Sequence, residues 1–460
     1  MGRVFSALAV LLPACSAVAF VMPTVTPESL ARDPDRAGGI YATYRPSPGE
    51  RAAPPPGYAP FYVSHVGRHG SRYHTSPYRY VVCQKVLNEA GARGGLTARG
   101  ERIRGVIDRA ARHAAGREAG LSEQGVAEQR GIAERLFADM EPLFRGDRRV
   151  ESASSEFPRC ILTMTSFDRR LAELNPALSI GERADALVRP YTNSRVGHGS
   201  FKPEAQAVTM ARVNAEVEAM TPAVLARLFA PGRVPAELSD PVRRGVFVRS
   251  LFDLSLMMQD TEGDERIDDL FSAQERFAMW AALNAYRYAQ YGATCRWGDA
   301  NFGDAMAVIR SVVDDFDSAL ARPGERVAAF RFGHDYSVIG LLAALQAEGL
   351  SARTDDLDAL NGVWVDFAIS PMSANVQFRF YRAAAGEVLV GVLHNERLVT
   401  LPVAKAAEGP YYRWPDLRAF MLARLAAIRA LPAVRKLNFD APLEVDAPGF
   451  GTLPVFGEER

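Results

Sequence analysis

Val63-Ser64-His65-Val66-Gly67-Arg68-His69-Gly70-Ser71-Arg72-Tyr73-His74 begins as a strand and ends as a loop of cations and imidazoles. Phe61 to Val66 is apolar and β-branched, which predicts a short buried strand, and Gly67 and Gly70 then permit tight backbone geometry around Arg68 and His69. A strand that ends in such a loop presents its residues at one edge of a sheet. In open α/β sheets that edge, at the carboxyl ends of the strands, is where ligands bind. Arg68 and Arg72 each offer a planar fork of donors suited to a phosphate. His69 has a different use, because an imidazole is able to be neutral and nucleophilic near pH 7, and fixed positive charge beside it disfavours its protonation. Arg-His-Gly alone reads as surface charge plus a hydrogen-bonded loop histidine; Arg-His-Gly-Ser-Arg directly after a strand is much more specific.

Two other stretches run into the same kind of corner. Glu325 to Phe332 reads as a strand that stops at Gly333-His334-Asp335, with Tyr336 to Gln346 following as an apolar helix. His69 and His334 therefore both follow strands at what should be one sheet edge, the second with a carboxylic acid attached. Arg149 to Ser154 reads as a further strand, and Glu156-Phe157-Pro158-Arg159-Cys160 opens a helix running through Leu171. Pro158 suits the first helical turn and leaves Arg159 near the positive end of that helix, a third phosphate-binding candidate.

Arg68-His69-Gly70-Ser71-Arg72 resembles the signature of the histidine acid phosphatases, the second branch of the histidine phosphatases. The Ser71-Arg72-Tyr73 ending resembles the multiple inositol polyphosphate phosphatase group within it. Arg159 after a Ser-x-x-x-Arg context, the His334-Asp335 pair and Leu393-His394-Asn395-Glu396 extend the resemblance over most of the α/β core. Leu121-Ser122-Glu123-Gln124-Gly125 also matches a segment that introduces a helix in that family, with Ser122 as N-cap and an apolar face through Val126, Ile132 and Leu136. The resemblance implies an α/β fold, a phosphoglycerate-mutase-like three-layer core with an inserted, mainly helical domain. It also implies that His69 is a nucleophile forming a phosphohistidine, that Arg68, Arg72, Arg159 and His334 hold phosphate oxygens, and that Asp335 is the proton donor. An acidic to near-neutral optimum follows, with no cofactor. Two residues depart from the pattern. His74 stands where the family usually has proline, and Asp335 follows His334 directly, whereas multiple inositol polyphosphate phosphatases place a glutamate two residues on. The front motif points to inositol polyphosphates such as phytate, the donor motif to broader acid or sugar-phosphate phosphatases.

Lys+Arg 54 against Asp+Glu 54 gives zero formal net charge, so nothing global points to nucleic acid or a membrane surface. Recognition of a small phosphorylated substrate must be local. Met1-Gly2-Arg3, the apolar run Val4 to Leu12 and Ala17-Val18-Ala19 read as an export signal over residues 1–19, to a periplasm or the exterior; Leu12-Pro13-Ala14-Cys15 offers lipid attachment as the alternative. The apolar run is too short for a transmembrane span. Cys83, Cys160 and Cys295 are then left, an odd number that permits at most one internal bridge. No Cys-x-x-Cys or His-x-x-x-His spacing with nearby carboxylates suggests a metal site. A metal-dependent esterase built on His65, His69 and His74 would place a divalent cation among repelling arginines, and His65 reads as a core histidine. A non-catalytic phosphate-binding protein would not need both His69 and Asp335.

The Pro- and Gly-rich stretch Phe20 to Pro60 reads as an irregular lead-in over the surface. Tyr78 to Ala90 and Leu96 to Ala115 read as helices, with His113 on a solvated face. From Leu171 to Asp299 helical patterns dominate: Pro203 to Met220, Thr221 to Phe229, Val242 to Met258 and Gln274 to Tyr291. The expected organisation is a core over 20–170 and 300–460 with a helical insertion over 171–299. Arg195, His198 and Lys202 are pocket candidates in that insertion, against the alternative of a polar surface loop. Phe302 to Leu320 and Trp414 to Ile428 read as core helices, and Val376 to Arg382 with Glu387 to His394 as a hairpin.

Overall fold

The structure, a computed structural model, describes residues 20–46, 53–193, 203–261, 263, 265–407 and 409–435. The expected export segment, with Cys15, lies outside the described residues. In chain order the strands are β1 (Tyr58–Arg68), β2 (Arg149–Ser154), β3 (Ser179–Arg183), β4 (Ala328–Gly333), β5 (Asn375–Ala383), β6 (Val388–His394), β7 (Arg397–Leu398) and β8 (Tyr412–Arg413). The first helices are α1 (Pro27–Arg32), α2 (Tyr78–Ala92), α3 (Ala98–Ala114), α4 (Glu123–Asp139), α5 (Pro158–Leu174), α6 (Arg189–Thr192) and α7 (Pro203–Leu228). They are followed by α8 (Pro241–Met257), α9 (Ala273–Tyr291), α10 (Asp299–Ala321), α11 (Asp335–Ala344), α12 (Asp366–Ile369), α13 (Trp414–Ala430) and α14 (Pro432–Arg435).

The eight strands form one mixed sheet in the order β3-β2-β4-β1-β5-β6-β7, with β8 added on β6. β3, β2, β4 and β1 run parallel, β5 is antiparallel to β1, and β6 is antiparallel to β5. β1 is central and buried on both faces, so its alternate residues serve two cores. Tyr62 and Val66 pack with Phe316 of α10, Val338 of α11 and Leu417 of α13. Val63 packs with Ile132 and Leu136 of α4 and Phe167 of α5. Three layers result, and each fully buried Phe or Leu contributes about 1.5–3 kcal/mol to holding them. The register pairs Arg68 of β1 with Gly333 of β4 and Phe332 of β4 with Ser154 of β2. The carboxyl ends of these three strands therefore lie side by side.

Three expectations are corrected. The lead-in is ordered and partly buried: α1 is closed by a Thr26–Ser29 capping box, a 3-10 segment follows over Pro34–Tyr41, and Leu30 and Ile40 are inside. It packs on α8 and α9, burying apolar residues that the Pro- and Gly-rich composition obscured. Strands do not end at Leu171, because β3 pairs with β2; its sequence Ser-Ile-Gly-Glu-Arg is mostly exposed at the sheet edge and carries little apolar signal. The two helices expected over 203–229 are one, α7, which continues through Pro222. In addition, α2 packs on α8 and α3 on α7, so residues 78–114 lie against the helical layer. His113 is only half-exposed, its Nε2 lying 3.1 Å from the Tyr73 hydroxyl. Among the described residues, Cys83, Cys160 and Cys295 are free thiols, and no helix is long and apolar enough to cross a membrane.

Candidate active site

Where β1 stops, almost every backbone group of the loop is tied down. Arg68 N–H donates to Ala374 O (2.8 Å), His69 N–H to Gly333 O (2.9 Å), Gly70 N–H to Thr163 Oγ1 (3.1 Å) and Ser71 N–H to Glu128 Oε2 (3.0 Å). The carbonyls of His69 and Ser71 accept from the N–H groups of Ser373 (3.0 Å) and Ser122 (2.9 Å). The first turn of α4 presses directly on this loop. A Cβ on Gly125 would sit 2.2 Å from Ser71 O, and one on Gly70 would sit 2.7 Å from Gly125 O. Ser122 caps that helix by accepting from Gly125 N–H (3.2 Å), which accounts for the Leu-Ser-x-x-Gly spacing.

The loop fixes the His69 ring in one tautomer. Its Nδ1 is 2.9 Å from Gly70 O, and since a carbonyl only accepts, Nδ1 carries the proton and Nε2 keeps its lone pair. Burial, then the charges of Arg159, Arg68, Arg72 and His334, hold its pKa well below the usual histidine value. The neutral, basic form of His69 is thereby favoured.

Around it stand three buried guanidiniums, none in an ion pair among the described residues. Arg68 Nη1 donates to the carbonyls of Ile40 and Ser370, Arg72 Nη1 donates to Tyr73 O (2.9 Å), and Arg159 lies 4.7 Å from the centre of the Phe157 ring. Each retains an Nε–H that is buried without a partner. Burial, and repulsion from Arg159 and Arg68, push Arg72 down to about 10 despite the opposing pull of Tyr41. Three desolvated cations with spare donors are unfavourable by themselves, and a bound oxyanion relieves them.

His334 enters from β4, as the residue before α11. Its ring centre is 5.7 Å from that of His69, and its Nε2 is 3.3 Å from Ser155 Oγ and 3.9 Å from Cys160 Sγ. It stacks on Tyr336 and meets Phe157 edge-on. Asp335 is buried as the first residue of α11, its Oδ1 accepting from Tyr336 N–H (3.1 Å). His69, Arg68, Arg72, Arg159, His334 and Asp335 thus converge at one sheet edge. Arg195, His198 and Lys202 lie outside the described residues. Among the described residues no group of His, Cys, Asp or Glu side chains is arranged to hold a metal ion. His65 is a core residue among Phe167, Phe330 and Phe332, and His74 is buried against Tyr80.

Four residues of this neighbourhood carry no sequence signal. Arg287 of α9 donates to the Tyr41 hydroxyl (3.0 Å), and both Arg287 and Arg72 lie 5.5 Å from the Tyr41 ring centre. Burial alone would raise the Tyr41 phenol, but the two guanidiniums outweigh it and bring its pKa down. Glu128 and Asp260, both buried, flank the Ser71 hydroxyl behind the loop. All four arrive from segments remote in sequence, without a motif. The whole is a cluster of buried cations around an imidazole nitrogen with a free lone pair, a chemistry suited to a tetrahedral oxyanion.

No family model and no curated protein matches this chain. Solved structures do. The apo multiple inositol polyphosphate phosphatase of Bifidobacterium longum is 17% identical over 84% of this chain and 97% of its own, with a TM-score of 0.68. Its complex with inositol hexasulfate gives a TM-score of 0.66 over the same shares. The phytase from D. castellii is 16% identical over 85% of each chain, with a TM-score of 0.63. These likenesses establish the fold, a phosphoglycerate-mutase-like three-layer α/β core with helical insertions.

Proposed function

We propose that this chain is a phosphomonoesterase of the histidine acid phosphatase type, acting through a phosphohistidine at His69. The observation that carries the reading is the His69 ring, with Nδ1 held at Gly70 O, set among three buried guanidiniums that have no anionic partner among the described residues. In the first step Nε2 attacks phosphorus and the P–O ester bond breaks. Arg68, Arg72, Arg159 and His334 hold the non-bridging oxygens, and Asp335 gives its proton to the leaving alkoxide. In the second step Asp335 takes a proton from water, whose oxygen displaces the imidazole from phosphorus. The carbonyl of Gly70 steadies the positive charge that the ring acquires between the two steps.

The substrate we propose is an inositol polyphosphate such as phytate, hydrolysed outside the cytoplasm after removal of residues 1–19. Support comes from Ser71-Arg72-Tyr73 and from the fold shared with the B. longum phosphatase and the D. castellii phytase. Arg195, His198 and Lys202 are proposed to add charge to the substrate pocket, beside the α/β core over 20–170 and 300–460 and the helical insertion over 171–299. The direct adjacency of His334 and Asp335 favours a second reading, a broader acid or sugar-phosphate phosphatase.

The test is phosphate release from phytate, glucose 1-phosphate and an aryl phosphate at mildly acidic pH with chelator present. Wild type is expected to turn over phytate, His69→Ala to be inactive, and Asp335→Asn to fall mainly on poor leaving groups. Turnover of only the aryl and sugar esters selects the second reading, and full activity in His69→Ala sinks both.

A further inference from the structure

Beneath the loop, one hydroxyl touches two buried carboxyls. Ser71 Oγ is 2.8 Å from Glu128 Oε1 of α4 and 2.9 Å from Asp260 Oδ1, which closes the 3-10 turn after α8. A serine hydroxyl has one proton, so it donates to only one of the two. The other contact is a repulsion between lone pairs unless that carboxyl carries its own proton.

Hydrogen-bond accounting identifies which one does. Glu128 already accepts from Ser71 N–H (3.0 Å), Tyr44 N–H (3.1 Å) and the Ser373 hydroxyl (2.7 Å). The Ser373 proton must point to Glu128, since Gln129 Nε2 donates to the Ser373 oxygen (2.8 Å). Glu128 thus has the solvation an anion needs without help from Ser71. Asp260 has the reverse surroundings. It is fully buried, and among the described residues its Oδ2 has no hydrogen-bond partner, a state tolerable for the carbonyl of a neutral acid and costly for a carboxylate.

We infer that Asp260 is a neutral acid whose proton is donated to Ser71 Oγ, while Ser71 donates onward to the Glu128 carboxylate, and that this ordered chain makes Asp260 a positioning residue for the His69 loop. Asp260 belongs to the helical layer and Glu128 to the core, so the chain clamps the loop between the two. The charged groups facing Asp260 are Glu128 from α4 and Arg68 and Arg72 from the loop. Burial and the Glu128 charge outweigh both arginines and hold the Asp260 carboxyl well above the ordinary range. As pH rises through its raised pKa, Asp260 ionises against Glu128, and the loop loses the donor that seats Ser71.

The inference extends the proposed function, and its main test is independent of activity. Infrared difference spectra of wild type and Asp260→Asn at neutral pH should show the carbonyl stretch of an un-ionised carboxylic acid in wild type alone. Asparagine copies the neutral acid in shape and donor, so the variant should fold, keep its acid-side kcat/KM and hold its activity to higher pH than wild type. Its thermal stability should also lose the decline that wild type shows as pH rises above about 4, where the unfolded aspartate ionises and the folded one does not. Ser71→Ala breaks the chain and should lower kcat/KM about tenfold, one buried hydrogen bond's worth. An absent carbonyl band overturns the inference, as does an Asp260→Asn chain that fails to fold or loses acid-side activity. A wild type that hydrolyses no phosphomonoester overturns the proposed function, while the infrared and thermal results still decide where the proton lies.

Discussion

Arg159→Ala should separate activity from stability. The side chain is 8% exposed, and among the described residues it makes no ion pair and retains an unpartnered Nε–H; it lies against the Phe157 ring at 4.7 Å. Losing that contact removes about 0.5–2 kcal/mol. Relief of repulsion with Arg68 and Arg72 offsets part of this, so the melting temperature should move by no more than a few degrees. On the proposed mechanism the same guanidinium holds oxygens of the transferring phosphoryl group. Removing one donor from developing charge costs about 2.7–4 kcal/mol, and arginines on phosphoryl groups reach about 10³–10⁵ in rate, so kcat/KM should fall about 10³-fold. A second signature follows from His69, whose pKa is held down first by burial and next by the Arg159 charge. Without that charge His69 protonates more readily, and the acidic limb of kcat/KM should move to higher pH. Arg159→Lys keeps a charge but not the fork, so it should lose rate while leaving the acidic limb near its wild-type position. The assay is steady-state hydrolysis of an aryl phosphate from pH 4 to 7, with thermal melts of the same preparations. Arg159→Ala within tenfold of wild type at an unchanged melting temperature would refute the phosphate-holding role.

Burial, followed by the charges of Arg379 and Arg331, lowers His65 to about 3, so it stays neutral in the fold while the unfolded imidazole takes a proton near 6.5. The stability this gives is complete above about pH 6.5 and is lost as pH falls toward about 3, by about 1.4 kcal/mol per pH unit. His65→Phe fits the ring nest of Phe167, Phe330 and Phe332 and should flatten denaturation free energies over that range by this slope; parallel curves would contradict it. Gly125→Ala places a methyl 2.2 Å from Ser71 O, so it should displace the loop and lower kcat by more than tenfold, on the order of 1–3 kcal/mol, with α4 still helical by circular dichroism. Retained kcat would mean that the loop does not depend on this contact.

Local signals in the sequence determined the elements that carry chemistry. β1 and β4 are apolar runs ended by a corner of Gly and His, β2 is a short run ended by serines, and the helices after β2 and β4 start with Pro158 at the first position of α5 and Asp335 at the first of α11. Side-chain alternation and turn chemistry operate within a few residues, so these positions were readable from the chain alone, as was their common edge. Tertiary structure alone decided what stands behind and over that edge. Glu128 sits on a helix whose apolar face was legible, but its partners Ser71, Ser373 and Tyr44 come from three distant segments. Tyr41 lies in a stretch whose composition suggested a surface lead-in, yet Arg72 and Arg287 bring it to the site from opposite ends of the fold. β3 remained hidden because an exposed edge strand needs no buried face. A buried polar contact leaves no periodic trace, since its free energy depends on groups that meet only once the chain has closed.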